Sequence, residues 1–304
     1  MAPALPAVEP WPAGRAPDLA ALAELALPAE RFTADELLAV CWDGEGSDAS
    51  TVLGIPDGSG AVAVASRSVR GRDRPTAVVT CLAVEPAAQG EGRGRALLAA
   101  AHEWARAEGA VSVAAAGLAP FYLWPGIDVR FTRALCLAEA AGYRPTGAAL
   151  NLSCPTTFRT APPAGVRVER VLEDAAADAV LALCRRAYPD WEAEAARGIE
   201  HGAGHAAVDT ATGGTVGFAC HSVNRAGWVG PIGVEQQRQG GGVGAALLSA
   251  LCTDLRAAGH ADAEIAWIGP IGFYARTAGA SVSRTFMTYT FSLPAGGRGS
   301  RGSR

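Results

Sequence analysis

Lysine is absent, and all 26 basic residues are arginine. A phosphate loop of the Gly-x-x-x-x-Gly-Lys-Ser/Thr type is therefore excluded, because its lysine is what reaches the terminal phosphates. The seven cysteines (41, 81, 136, 154, 184, 220 and 252) include no Cys-x-x-Cys pair. Several of them fall on apolar faces as well, so neither a zinc knuckle nor a disulfide framework is supported, and reduced, buried thiols are expected with no metal. No apolar run approaches the ~18 to 20 residues that cross a bilayer, so no membrane partner is expected. An excess of positive charge is missing too: 26 basic residues against 30 acidic ones give -4, with only the scattered Arg67, Arg70, Arg72 and Arg74 close together. Phosphate-backbone binding needs a basic face, so nucleic acid is not an expected partner. The opening MAPALPAVEPWPAG has no basic region followed by an apolar core, unlike a signal or transit peptide, and the cytoplasm is the expected location. Nothing in the composition speaks to oligomeric state.

What is present is globular: 49% apolar and 18% charged residues over a chain of 304, a length that suggests about two domains. A repeat supports the same number. QGEGRGRALL, from Gln89, returns 150 residues later as QGGGVGAALL, from Gln239. Each copy follows an apolar run ending in valine (Val84, Val234) and leads into an Ala/Leu-rich segment of helical spacing, so each marks a strand-to-helix turn.

Residues 1–16 read as a loosely held Pro/Ala-rich leader and 295–304 as a Gly/Arg/Ser tail. Helices are expected at 17–27 and 33–41, the second with Thr33 and Glu36 as a capping box. Strands follow near 50–55, 60–67 and 76–84, and the helix after the first glycine turn should stop at Gly109. The second half repeats the order, from the strand VRVERV at Val166 to the closing SRTFMTYTFSL. The Pro/Thr-rich 154–165 reads as the linker between a first domain at 17–153 and a second at 166–294. The expected class is α+β, each domain a mixed, mostly antiparallel sheet flanked by helices, with one strand-turn-helix crossover.

A helix N-terminus offers unpaired N–H groups and the positive end of the helix dipole, so it receives phosphate without a cationic side chain. Gly242 and Gly244 keep side chains away from a pyrophosphate, and Gly240 permits the tight turn; Gly90, Gly92 and Gly94 repeat the pattern after Gln89. The dinucleotide fingerprint Gly-x-Gly-x-x-Gly/Ala is met formally by Gly240, Gly242 and Ala245. A dinucleotide fold needs several further βα units, whereas about 60 residues remain, and the first copy carries Arg95 where a small residue is required.

The pattern Gln-x-x-Gly-x-Gly after a strand ending in valine (Gln239, Gly242, Gly244 after Val234), followed by helix, strand and a helix bearing Phe273-Tyr274, resembles the GCN5-related N-acetyltransferases (GNAT). Both halves share it, so the chain resembles a tandem GNAT protein. The resemblance implies that main-chain N–H groups of Gln239, Gly240, Gly241, Gly242, Val243, Gly244 and Ala245 hold the pyrophosphate of acetyl-CoA. It implies that strand 228–234 pairs with pantetheine and that the N–H near Ile232 polarises the thioester carbonyl. Tyr274 would protonate the departing thiolate. The reaction implied is direct attack of a small-molecule primary amine on the thioester, with neither a metal nor a covalent enzyme intermediate. The WPGID loop and the WIGPIGFYARTAGA ending are similar to bacterial tandem enzymes acting on glucosamine and glucosaminides. Aminoglycosides or a mycothiol-type amino sugar fit the tandem layout as well. From another class, a non-catalytic acyl-CoA-binding regulator would keep both glycine turns.

The halves differ at one chemical position. Aligning AEAAGY (138–143) with ARTAGA (275–280) puts Leu137 where the second half has Tyr274, and leucine cannot donate a proton. An alternative alignment pairs Phe121-Tyr122 with Phe273-Tyr274, but Trp124-Pro125-Gly126 would break a helix there. The first half is therefore expected to be degenerate and the second catalytic. Phe121, Tyr122 and Trp124 form an aromatic insertion that is either a loop lining a sugar or other small-molecule cleft or a hydrophobic plug between domains. Tyr188, Asp190, Trp191 and Glu192 fall in a region that shapes the acceptor pocket in GNAT enzymes, with carboxylates suited to a cationic amine. Candidate general bases are His221, His205, Glu235 and Glu264.

Overall fold

The structure, a computed structural model, describes residues 5–28, 30–44, 46–69 and 71–294. The expected tail at 295–304 and the first four residues of the expected leader lie outside the described residues. The chain starts with β1 (Glu9–Pro10), α1 (Ala16–Ala26), α2 (Ala34–Leu37), β2 (Ala49–Gly54), β3 (Gly60–Arg67) and β4 (Thr76–Val84). Then come α3 (Arg93–Ala107), β5 (Ser112–Ala115), β6 (Ile127–Asp128), α4 (Thr132–Ala140) and β7 (Arg144–Pro155). The rest is β8 (Val166–Arg170), α5 (Asp174–Ala187), α6 (Glu192–Glu200), β9 (Gly204–Asp209), β10 (Thr215–His221), β11 (Trp228–Val234), α7 (Val243–Ala257), β12 (Asp262–Ile265), α8 (Ile271–Ala278) and β13 (Ser281–Ser292).

Local chemistry explains the boundaries. Thr33 and Glu36 form the reciprocal capping box that opens α2. Proline in the first turn of α1 uses a position whose N–H has no helical acceptor. Gly109 and Gly259 follow α3 and α7 at φ +76° and +91°, a conformation that only glycine adopts without strain.

The described chain forms two compact units. The first holds the residues up to Leu118, Val129–Gly147 and those from Met287 on; the second holds Ala119–Asp128 and Ala148–Phe286. A division at 154–165 therefore does not describe the molecule. β7 starts in the first unit and pairs its Leu152–Pro155 end with β12 of the second, while Tyr289–Ser292 of β13 pairs with β5 of the first. β5 and β12 each need an antiparallel neighbour, and each receives one from a strand that begins in the other unit.

In the first unit β1 to β4 pair antiparallel in order, β4 pairs parallel with β5, and the end of β13 closes the sheet. The second unit repeats this with β8 to β11 antiparallel, β11 parallel with β12, and β7 at the close. Each is α+β, with a mixed, mostly antiparallel sheet flanked by helices. Alternation along the strands, shifted by a bulge at Thr215–Gly217 of β10, sorts the second unit's core. Ala207, Val216, Ala219 and Val229 pack with Leu247, Leu251 and Leu255 of α7, whereas Ala206, Val208 and Phe218 face Val180, Leu183 and Ala195 of α5 and α6.

The expected loose leader is corrected from residue 9 onward. β1 pairs with β2, Trp11 N–H donates to Val52 C=O at 2.8 Å, and the Trp11 side chain is 3% exposed. Burial of one indole outweighs the ordering cost of a short proline-rich segment. Gly54 makes the room, because a Cβ there would fall inside the Trp11 ring. Gly54→Ala is accordingly expected to destabilise the first unit by about 1–3 kcal/mol, read from the midpoint of denaturant unfolding.

Candidate active site

The second glycine turn follows β11. Gly240 and Gly242 sit at φ +77° and +87°, and a Cβ at either would meet no atom within 4 Å, so both open onto free space. Gly242 caps α7, whose first N–H groups have no intrahelical acceptor. Val243 anchors the turn with its side chain buried in the core. Gly244 serves a different purpose from the one expected: its missing Cβ would lie 3.2 Å from Phe273 Cζ, so it lets α7 and α8 pack closely. Ala245 lies in the first turn of α7, and Gln239 folds back so that Nε2 donates to Val234 C=O at 3.1 Å.

β11 and β12 pair at Trp228↔Glu264 and Val229↔Ile265, and their pairing ends there. Beyond it β11 stays with β10, through Ile232↔Ala219, Gly233↔Phe218 and Val234↔Gly217. One edge of Gly230–Val234 is thus left without a partner strand. Glu235 N–H donates toward β10, to Val216 C=O at 2.9 Å, whereas Val234 N–H donates the other way, to Tyr188 Oη at 3.1 Å. Main-chain direction alternates along a strand, so Ile232 turns its N–H to the open edge as Val234 does.

Tyr274 is 8% exposed and belongs to the cluster of Val229, Val243, Ile265 and Leu247, against which Ile232, Val234 and Phe273 also pack. Burial, and secondarily Cys154, push its phenol up to about 12, so it carries its proton throughout the neutral range. Glycine turn, open strand edge and a protonated phenol thus converge on one region of the second unit.

The expected acceptor segment separates into distinct roles. Tyr188 ends α5 and stacks on Trp191, with centroids 4.9 Å apart and planes 2° from parallel. Asp190 is exposed, and Glu192 pairs with Arg185 at 2.9 Å. The candidate bases all carry structural partners. Glu235 meets Arg186 at 2.5 Å, and Glu264 accepts from Asn151 Nδ2 at 2.5 Å with Arg284 at 3.7 Å. His205 and His221 converge on Asp254 at 2.7 and 3.4 Å, with Arg170 on its other oxygen at 2.5 Å. Burial holds the His221 imidazole below its ordinary value, hence neutral. Asp254 stands twelve residues beyond Gly242, roughly 18 Å along α7 from the glycine turn, so the histidine cluster belongs to the far end of the helix.

Trp124 does not present its ring as a substrate contact. Phe121, Tyr122, Leu123 and Trp124 are 5, 7, 1 and 7% exposed. Phe121 packs on Cys220 and Val223, and Tyr122 meets Trp267 edge-on at 5.1 Å. The insertion is buried within the second unit itself rather than between domains.

The first unit repeats the turn with different surroundings. Gln89 Nε2 donates to Val84 C=O at 3.0 Å, and Gly90 and Gly92 take φ +89° and +85°. A Cβ on Gly92, however, would lie 3.2 Å from Leu5 Cδ2, and one on Gly94 would lie 2.8 Å from Leu137 Cδ2. Leu137 sits on α4 against this turn, where no hydroxyl is available.

Among the described residues, no cluster of His, Cys, Asp or Glu could hold a metal ion, and no helix is long and apolar enough to cross a membrane.

Residues 17–122 match the model of the acetyltransferase (GNAT) family. That segment includes the first glycine turn and stops short of Leu137. Among solved structures, the chain is similar to the GCN5-related glucosamine N-acetyltransferase region of a fungal multi-domain GH3 β-N-acetylglucosaminidase, at 18% identity and a TM-score of 0.77. The match takes in 96% of this chain and 38% of that one, so the chain spans well under half of the fungal protein. A tandem GNAT protein from the clavulanic acid biosynthesis pathway aligns at 21% identity and a TM-score of 0.73, over 95% of this chain and 99% of that one. A GCN5-related N-acetyltransferase from Sphaerobacter thermophilus aligns at 22% and 0.68, over 95% and 97%. Identities this low speak for the fold alone. No curated protein sequence matches the chain.

Proposed function

We propose that the chain is an acyltransferase using acetyl-CoA and that its second unit transfers the acetyl group to a primary amine of a small molecule. The reading is supported by the match of residues 17–122 to the GNAT acetyltransferase family model and by the repeat of the first unit's sheet order and glycine turn in the second. The observation that carries this reading is the open edge of Gly230–Val234 between a glycine turn with free space above it and the protonated Tyr274.

Acetyl-CoA supplies the activated thioester. Gly240 and Gly242 leave the first-turn N–H groups of α7 accessible to a pyrophosphate. The N–H of Ile232, directed to the open edge, donates to the carbonyl oxygen as that oxygen gains negative charge on amine attack. Tyr274 gives its proton to the departing thiolate, so the thiol leaves neutral. Glu235 and Glu264 are paired with Arg186 and Arg284, and His205 and His221 share Asp254 at the far end of α7, so no general base is assigned among the four.

The acceptor we favour is an amino sugar such as glucosamine, in keeping with the region named for the fungal relative. Asp190, exposed beside the Tyr188–Trp191 stack, offers a carboxylate to the cationic amine, and the aromatic pair offers a flat apolar face to a sugar ring. The two units constitute tandem GNAT domains, the first of them serving structure. Thiol release from acetyl-CoA, measured across amino sugars, aminoglycosides, amino acids and polyamines, tests the reading. Release that depends on an amino sugar is expected, and release with none of these amines would overturn it.

A further inference from the structure

The main-chain edge of β11 is already held by one side chain. Val234 N–H donates to Tyr188 Oη at 3.1 Å, and the same hydroxyl donates to Val234 C=O at 2.5 Å. A single phenol oxygen thus supplies both bonds that a neighbouring strand would make. The ring is braced for this position. It stacks on Trp191, meets Phe218 edge-on at 6.0 Å, and lies over Gly233, where a Cβ would collide with Phe218 Cε1 and come within 2.9 Å of Tyr188 Cδ2.

The first unit has no counterpart. Gln89 bonds the Val84 carbonyl as Gln239 bonds that of Val234, but α1 ends in Leu27-Pro28 where α5 ends in Tyr188-Pro189. Ala83 stands before Val84 where Gly233 stands before Val234. The hydroxyl and the glycine that makes room for both its ring and Phe218 occur together, in the unit that also carries Tyr274.

An extended, amide-bearing chain is what pairs with an open strand edge, and the pantetheine arm of acetyl-CoA carries two amides. We propose that Tyr188 is a placeholder for a pantetheine amide: its hydroxyl satisfies Val234 N–H and C=O, and the arm enters the second unit by displacing it. This rests on the reading of the second unit as an acetyl-CoA site. Without the phenol Val234 N–H would lose its partner while the carbonyl would keep only Gln239 Nε2; held by Tyr188, the two groups cost the co-substrate affinity instead. Because the ring also stacks on Trp191, its departure reshapes the acceptor segment as the co-substrate arrives.

Titration calorimetry on the full chain tests this with two probes, acetyl-CoA and 3′-phosphoadenosine 5′-diphosphate, which keeps the phosphates and lacks the arm. Tyr188→Phe retains the ring and removes the hydroxyl. It is expected to tighten acetyl-CoA binding by about 3- to 10-fold, the scale of one or two hydrogen bonds no longer broken, and to leave the armless nucleotide unchanged. Unchanged or weaker acetyl-CoA binding overturns the proposal, as does equal tightening of both probes. Gly242→Val, made in both backgrounds, assigns the heat to the second unit. Binding that Gly242→Val abolishes but Tyr188→Phe does not strengthen sinks the placeholder alone. Binding indifferent to Gly242→Val in both backgrounds removes the functional reading and the placeholder together.

Discussion

Tyr274→Phe is expected to lower turnover by roughly 10²- to 10⁴-fold, the usual scale of general acid–base catalysis, with little change in acetyl-CoA affinity. The phenol is 8% exposed in the core cluster of the second unit. Phenylalanine keeps the ring packing and deletes only the oxygen, so the fold should survive. The alternation of β11 supplies the rest of the argument, because Ile232 and Val234 pack against the same cluster and direct their main chain to the open edge. Burial raises the phenol to about 12. A raised value means that the proton is present at every lower pH, so loss of the donor should not limit the wild-type rate anywhere below about pH 12. Steady-state thiol release in both proteins, with the armless nucleotide as a binding control, checks the prediction. A variant with near wild-type turnover removes Tyr274 from the reaction.

Much of this site could be read along the chain because its determinants are local. The glycines of the two turns, the capping box at Thr33, the glycines that stop α3 and α7, and the tyrosine on α8 each act within a few residues of their own position. Partners distant in sequence could not be read. β7 and β13 are apolar-patterned strands of equal length, and nothing in either pattern says which sheet it joins; that is decided by the unpaired sides of β5 and β12. Gly244 looks like a phosphate glycine until Phe273 is placed beside it. The same holds for Trp124, whose aromatic loop is a surface feature or a plug only by virtue of what surrounds it. Tyr188 stands out in the sequence only as one aromatic residue between two helices, and its bond to Val234, 46 residues away, is not legible there. The alignment of Leu27-Pro28 with Tyr188-Pro189 was available in the sequence and marks the position at which the two units diverge.

Gly242→Val and Gly92→Val form a matched pair. Both glycines cap a helix in the left-handed region, at φ +87° and +85°. Valine at either pays a similar strain, on the order of 1–3 kcal/mol, so loss of stability is common to the two and does not separate them. Their surroundings do. A side chain at Gly242 projects into open space above the first turn of α7, where a pyrophosphate would sit, whereas one at Gly92 runs into Leu5, 3.2 Å from its Cδ2. Division of labour after duplication therefore predicts unequal outcomes: Gly242→Val abolishes acetyl transfer, and Gly92→Val keeps it while lowering stability. The decisive measurement is the steady-state rate of amine-dependent thiol release by the two folded variants, assayed side by side with the wild type. Turnover retained in Gly92→Val and lost in Gly242→Val is the predicted result; turnover lost in Gly92→Val and retained in Gly242→Val would place the chemistry in the first unit and contradict the account.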